Sequence, residues 1–208
     1  VADASTSEFG QLASGERLEA VAAALVGNGI AASVVASGAA ARQAVDALVP
    51  DGAEVFNNTS RTLESIGVAE DIERSGRYQA LRLRLYQMDR EMQAREMRLL
   101  NSAPDYVIGS AHAVTDEGSL LIASASGSQL GPIVSGAGHV ILVVGGQKVV
   151  ADVEAGLRRI NDYCFPLEDQ RARQAYGVPS GVNNVLIINR VVAPGRITVL
   201  LVQERLGF

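Results

Sequence analysis

The chain carries a single cysteine, a single lysine and no tryptophan. With Cys164 alone there can be no intrachain disulfide, no cysteine-based structural zinc site and no four-thiolate iron–sulfur cluster. Any such cluster would belong to a partner. The five Tyr and four Phe make only 4% of the residues, too few for the stacking platforms of single-stranded nucleic-acid binders or the girdles of a membrane protein. The longest apolar runs, such as Val140–Val144 and Val199–Val202, fall far short of the ~20 residues of a spanning helix. A net charge of −5 disfavours a broad phosphate-binding surface, so nucleic acid is not an expected partner. Residues 1–10 are small and polar, the first basic residue is Arg17, and no secretory pattern stands there, so a cytoplasmic protein is expected. What is present is the composition of a folded chain: 48% hydrophobic and 20% charged among 208 residues. Residues 1–10 are read as a flexible tail and 11–208 as one domain.

Helix and strand patterns alternate. Leu18, Val21, Ala22, Leu25 and Val26 share one helical face, and Gly27 and Gly29 end it. Ser33–Ala36 reads as a strand, Ser37 as the cap of a helix over 39–48, and Ala53–Phe56 as a second strand that runs into the polar stretch Asn57–Ser60. From Arg77 to Leu100 the spacing of Tyr78, Leu81, Leu85, Met88, Met92 and Leu99 predicts one long amphipathic helix. Six arginines against three acids make it locally basic, either as a solvated face or as a docking surface for an acidic partner or an anionic ligand. Beyond Pro104, Tyr106–Val114, Ser119–Ala123, His139–Val144, Val185–Ile188 and Ile197–Val202 are Val/Ile/Leu-rich runs with little alternation, and Lys148–Ile160 reads as a helix between them. The expected fold is a three-layer α/β, Rossmann-like arrangement with a mainly parallel sheet and ligands beyond the strands' carboxyl ends.

Several segments could carry chemistry. The stretch Asn57–Thr62 follows a strand and opens a helix, so Asn58, Thr59, Ser60 and Thr62 serve either as caps or as a cradle for a phosphate or carboxylate. Ser124–Gln129 is a second hydroxyl-rich loop, in which Ser124, Gly127, Ser128 and Gln129 are candidate ligand contacts or a plain flexible turn. Thr115–Gly118 reads first as a tight turn and second as the source of a carboxylate, Asp116 or Glu117, for acid–base or nucleophilic work. His112, at a strand end, is the other catalytic candidate, set against a structural imidazole. Lys148 follows Gly145–Gly146 at a strand end, where its ammonium could reach a ligand or merely be solvated. The histidines and cysteine have no metal-ligand spacing, so no metal site is expected, and there is no nucleophile elbow or dinucleotide fingerprint.

Five segments in order, NNTSRTLESIGV from Asn57, VIGSAHAVTDEGSLLIASASGSQL from Val107, VILVVGGQKVV from Val140, RRINDYCFPLED from Arg158 and GRITVLLVQERLGF from Gly195, resemble the lactate-utilisation (LUD) domain family in its short, single-domain form. The resemblance covers nearly all of the chain after residue 10. It implies a Rossmann-like fold related to ribose-5-phosphate isomerase, glucosamine-6-phosphate deaminase and CoA transferases. It also implies a part in oxidising L-lactate to pyruvate beside iron–sulfur subunits. With one cysteine, this chain would be the non-redox accessory member, with no cofactor of its own, binding a small carboxylate, phosphate or nucleotide-like anion; a homo-oligomer is compatible with this. The alternative is a stand-alone enzyme on a sugar phosphate or acyl-CoA, using Glu117 or His112. GSAHAVTDEGSLL is similar to the stretch bearing the catalytic Asp of the sugar-phosphate isomerases, but His112 stands at that position.

Overall fold

A computed structural model of the chain describes residues 7–208. Hydroxyl caps start the first two helices. Ser14 accepts the Arg17 N–H at 3.2 Å ahead of α1 (Gly15–Gly27); after β1 (Ala31–Val35), Ser37 accepts the Ala40 N–H at 3.2 Å ahead of α2 (Gly38–Leu48). Then come β2 (Glu54–Asn57), α3 (Arg61–Ser65), α4 (Val68–Arg74), β3 (Gln79–Ala80), α5 (Leu81–Gln87) and α6 (Ala94–Ser102). The second half holds β4 (Tyr106–Gly109), β5 (Ala113–Thr115), β6 (Leu120–Ser124), β7 (His139–Gly145), β8 (Val149–Val150), α7 (Val153–Arg158), α8 (Phe165–Tyr176), β9 (Asn184–Ile188) and β10 (Ile197–Val202).

Six strands form an all-parallel sheet in the order β1-β10-β7-β4-β2-β3. Both faces of its centre are buried, which is why the Val- and Ile-rich runs show little polar alternation. Val140, Leu142 and Val144 point with Val199 and Leu201 into a core shared with Leu18, Val21 and Leu25 of α1. Ile141, Val143, Leu200 and Val202 face the other way, onto Ala41, Val45, Leu63 and Ile72 of α2, α3 and α4. The result is the three-layer, Rossmann-like α/β fold.

A second sheet, in the order β8-β5-β6-β9, adds to that plan. Val114, Leu120 and Ile122 join the α1 side of the main core, whereas Ala113, Leu121 and Ala123 pack on Ala155 and Ile160. This small sheet is mixed: β6 pairs antiparallel with both β5 and β9.

Four expectations need correction. The Tyr106–Val114 run is two strands in different sheets, parted at Ser110–His112. The Val185–Ile188 run pairs antiparallel in the small sheet rather than lying in the parallel one. The long helix over 77–100 is broken, because Asp89 Oδ1 accepts the N–H groups of Glu91 at 2.8 Å and Met92 at 2.9 Å, starting a new turn instead of continuing the old one. The expected helix over 148–160 begins only at Val153, capped by Asp152, and runs on through a π-helical turn over Arg159–Cys164 into α8, while Lys148 sits in a 3₁₀ turn before it. Of the expected N-terminal tail, residues 1–6 lie outside the described residues. Glu8–Gly10 form a 3₁₀ turn, and the Phe9 ring packs beneath the Arg158 guanidinium. Among the described residues no helix is long and apolar enough to cross a membrane.

Candidate functional site

The carboxyl ends of β2, β4 and β7 open on one side of the parallel sheet, and a cavity of about 380 Å³ lies there. Its walls come from the Asn58–Thr62 segment after β2, the Ser110–His112 crossover after β4, the loop after β6 and the residues around α8. The two hydroxyl-rich loops meet at this one cavity: Thr59 and Ser128 both line it. So do Asn58, Ser60, Thr62, His112, Ser124, Gln129 and Lys148.

Two candidates stand apart. Glu117 lies on the β5–β6 hairpin, where its carbonyl accepts from the Asn28 side chain at 2.8 Å, and it is outside the cavity lining. The cause is Gly118, whose positive φ of 79° lets the turn pack against the backbone of Ala24 and Leu25 in α1. Asp116 beside it pairs with Arg17 at 2.8 Å. Gly127 is also absent from the lining; its N–H donates to Ser124 Oγ at 3.0 Å and shapes the loop that carries Ser128.

The chemistry centres on Lys148. The segment from Gly145 to Lys148 leaves β7 in a tight 3₁₀ turn, and its glycines have no room for a side chain: a Cβ on Gly146 would sit 2.9 Å from the Val202 carbonyl. This turn brings Lys148 under the Asn58–Thr62 segment, where it is 3% exposed. Its Nζ donates to Thr62 Oγ1 at 2.9 Å and Ser110 Oγ at 3.1 Å. Thr62 in turn donates to the Leu206 carbonyl, which Gln147 Nε2 also binds. No carboxylate pairs with Lys148 among the described residues. Burial above all, and then the charge of Arg159, push the Lys148 amine down to about 7.

Arg159 is fully buried and likewise lacks an ion-pair partner among the described residues. Its Nη1 donates to the His112 carbonyl and to Cys164 Sγ, its plane lies over the Tyr163 ring, and its Nε is unpartnered. Burial lowers its basicity, and burial raises the thiol of Cys164, which lines the cavity. The His112 ring accepts the Ala123 N–H on Nδ1 at 3.1 Å, which leaves the proton of the neutral ring on Nε2. Burial first, then Lys148 and Arg159, push His112 down to about 3, so it is a neutral donor rather than a base that titrates near neutral pH.

Much of the remaining polar lining is already committed. Ser60 Oγ caps α3 by accepting from Leu63 N–H, and Gln129 Nε2 donates to the Ala123 carbonyl at 3.0 Å. Glu168 and Arg171 form a bidentate pair at 2.7 and 2.6 Å on α8. Asn58 Oδ1 is buried without a partner. The sequence reading missed Ser110, Cys164 and the α8 residues as site components. The Glu168–Arg171 and Asp169–Arg173 spacings of three and four were the available sign of that helix. Among the described residues no cluster of three or more His, Cys, Asp or Glu could hold a metal ion.

The arrangement can hold a small anion against a buried cation and hydroxyl groups: Glu168 lines the same cavity but is paired with Arg171, and no carboxylate among the described residues is paired with the lysine. A family model described as LUD domain matches residues 18–202. Among solved structures, the chain is similar to a DUF162 family protein from Deinococcus radiodurans, with 13% identity and a TM-score of 0.57, over 92% of this chain and 99% of that one. At that identity the likeness speaks to the fold alone. Comparison with curated proteins found no match.

Proposed function

The chain belongs to the LUD domain family, and from that premise we propose that it is a lactate-utilisation protein whose cavity binds a small carboxylate of the lactate or pyruvate type. In this reading it is the non-redox accessory member of a cytoplasmic system that oxidises L-lactate to pyruvate. The electron-carrying clusters sit on cysteine-rich partner subunits, since Cys164 is the chain's one thiol and is engaged by Arg159.

The observation that carries the reading is the buried Lys148 amine, held by two hydroxyls and matched by no carboxylate. An anion about 4 Å from its ammonium contributes on the order of 4 kcal/mol at an effective dielectric of about 20. At about 1.4 kcal/mol per pKa unit, that offsets most of the depression burial imposes on the lysine. A carboxylate guest therefore stabilises the charged amine, and the charged amine holds the guest. Glu117 stands outside the cavity and His112 is held neutral, so the geometry favours a binding site over the acid–base enzyme of the alternative reading.

Thermal shift with L-lactate, pyruvate and inorganic phosphate tests this. The carboxylates raise Tm of the wild-type chain, and Lys148→Met removes the shift. A shift that survives in Lys148→Met, with the variant folded, places the anion elsewhere.

A further inference from the structure

We propose that Lys148 is a reactive amine that condenses with the carbonyl carbon of a small 2-oxo acid to form an imine in this cavity. The proposal rests on the carboxylate-binding reading above and names the chemistry of the same site.

Hydrogen-bond bookkeeping around the amine carries it. The Thr62 hydroxyl has one proton, given to the Leu206 carbonyl at 3.0 Å, and the Ser110 hydroxyl gives its own to the Ala111 carbonyl at 3.2 Å. Both oxygens can therefore only accept from Lys148 Nζ. A neutral amine has two N–H donors and one lone pair. The two hydroxyls take both donors, which leaves the lone pair as the amine's one uncommitted position, on a residue that lines the cavity. The amine is thus held in a defined orientation with its nucleophilic electrons free.

The surroundings keep it neutral part of the time. No carboxylate fixes it as an ammonium, and Arg159 adds a second positive charge nearby, so the lysine loses its proton near neutral pH rather than several units higher. His112 supplies a neutral Nε2–H donor in the lining, suited to a carbonyl oxygen or a carboxylate. About 380 Å³ is ample for a three-carbon acid.

The step balances without an oxidant or a metal. The Nζ lone pair forms a bond to the carbonyl carbon while the carbonyl π pair moves to oxygen. The carbinolamine then expels that oxygen as water, which carries away the two protons of the amine, leaving a C=N bond. Acids without a 2-oxo group, such as L-lactate, bind but cannot react.

Reductive trapping tests it. The 208-residue chain is incubated with pyruvate and sodium cyanoborohydride, with L-lactate and cyanoborohydride as the control, and adducts are mapped by peptide mass spectrometry. Lys148 is the only lysine, so any adduct is assigned between it and the terminal amine. The expected result is a gain equal to pyruvate minus water plus two hydrogens on Lys148, with none from L-lactate. With pyruvate well below saturation, where the ligand-free chain sets the amine's protonation, the trapping rate should rise about tenfold per pH unit up to about 7 and then level. The other titratable groups around it, His112, Arg159 and Cys164, keep their neutral, charged and thiol forms through that window. Lys148→Arg should abolish the adduct while retaining a lactate-induced rise in Tm; if that variant does not fold, the wild-type peptide map decides. An adduct confined to the terminal amine overturns the imine, as does none at all while pyruvate raises Tm as lactate does; the carboxylate reading survives both results. Absence of both adduct and Tm shift, for either acid, overturns the two together.

Discussion

Lys148 makes the site pH-sensitive in a direction that its environment fixes. In the unfolded chain a lysine holds its proton to about 10.4, whereas in the cavity it releases it at about 7. Below 7 both states are protonated and the native state bears the full cost of a buried ammonium. Between 7 and about 10.4 the unfolded state binds more protons, so stability rises with pH across that window. The difference in unfolding free energy between wild type and Lys148→Met, followed by urea denaturation from pH 6 to 10, should therefore shift in favour of the wild type as pH increases. Anion binding runs the opposite way. A carboxylate needs the ammonium, so the affinity for L-lactate is expected to fall about tenfold per pH unit once the pH exceeds the lysine's pKa in the free protein. Titration calorimetry would detect this together with proton uptake from the buffer. An affinity that stays flat from pH 6 to 9 would remove Lys148 from the anion's contacts. Cys164 follows the same electrostatics: it is 2% exposed and its thiol is pushed up by burial, so it should alkylate far more slowly in the native chain than in denaturant.

At the scale of elements, what could be read from sequence follows the strength of the local signal. Strands buried on both faces show as Val/Ile/Leu runs, and β7 and β10 lie within a residue of the expected ranges. The loops at the strands' carboxyl ends were legible for the same reason. The small sheet was not, because β5 is three residues and β8 two, too short for any period to register. The α8 helix hid behind Pro166, which occupies its first turn, where proline is tolerated. Periodicity misled between Arg77 and Leu100, since spacings of three, four and seven run straight across a break that a single carboxylate makes at Asp89. Asp89→Ala should therefore loosen α6 and its leading turn, seen as faster amide exchange there, with little loss of global stability, because α6 buries no residue. Gly136 behaves differently. A Cβ there would run into the Ser102 carbonyl oxygen at the end of α6, and backbone cannot step aside as a side chain would. Gly136→Ala is expected to cost about 1–3 kcal/mol, the usual range for overpacking, read as a lowered denaturant midpoint with unchanged m-value.

Over the whole molecule, the cavity lies where the chain passes back and forth between the two sheets, at β4 to β5, β6 to β7, β7 to β8 and β9 to β10. The chain leaves the parallel sheet after β4, passes Ser110–His112 and enters the small sheet at β5, so the lysine's hydroxyl partner and the neutral histidine sit on the seam. The loop after β6 then crosses back: Asn101 Nδ2 donates to the Ser128 carbonyl at 2.7 Å, tying that loop to the end of α6 beside the parallel sheet. A ligand held here touches segments that are distant in sequence and belong to both sheets, and so stabilises the seam itself. At a hundred times its Kd it would add about 2.7 kcal/mol to the folded state. Hydrogen exchange should show where that stabilisation acts. With saturating L-lactate, amides of 58–62, 110–112, 123–129 and 146–148 are expected to gain protection together, while those of α4, remote from the cavity, change only as much as global unfolding does. Protection confined to one of these segments would mean that the ligand meets a single loop and that the seam is only a structural joint.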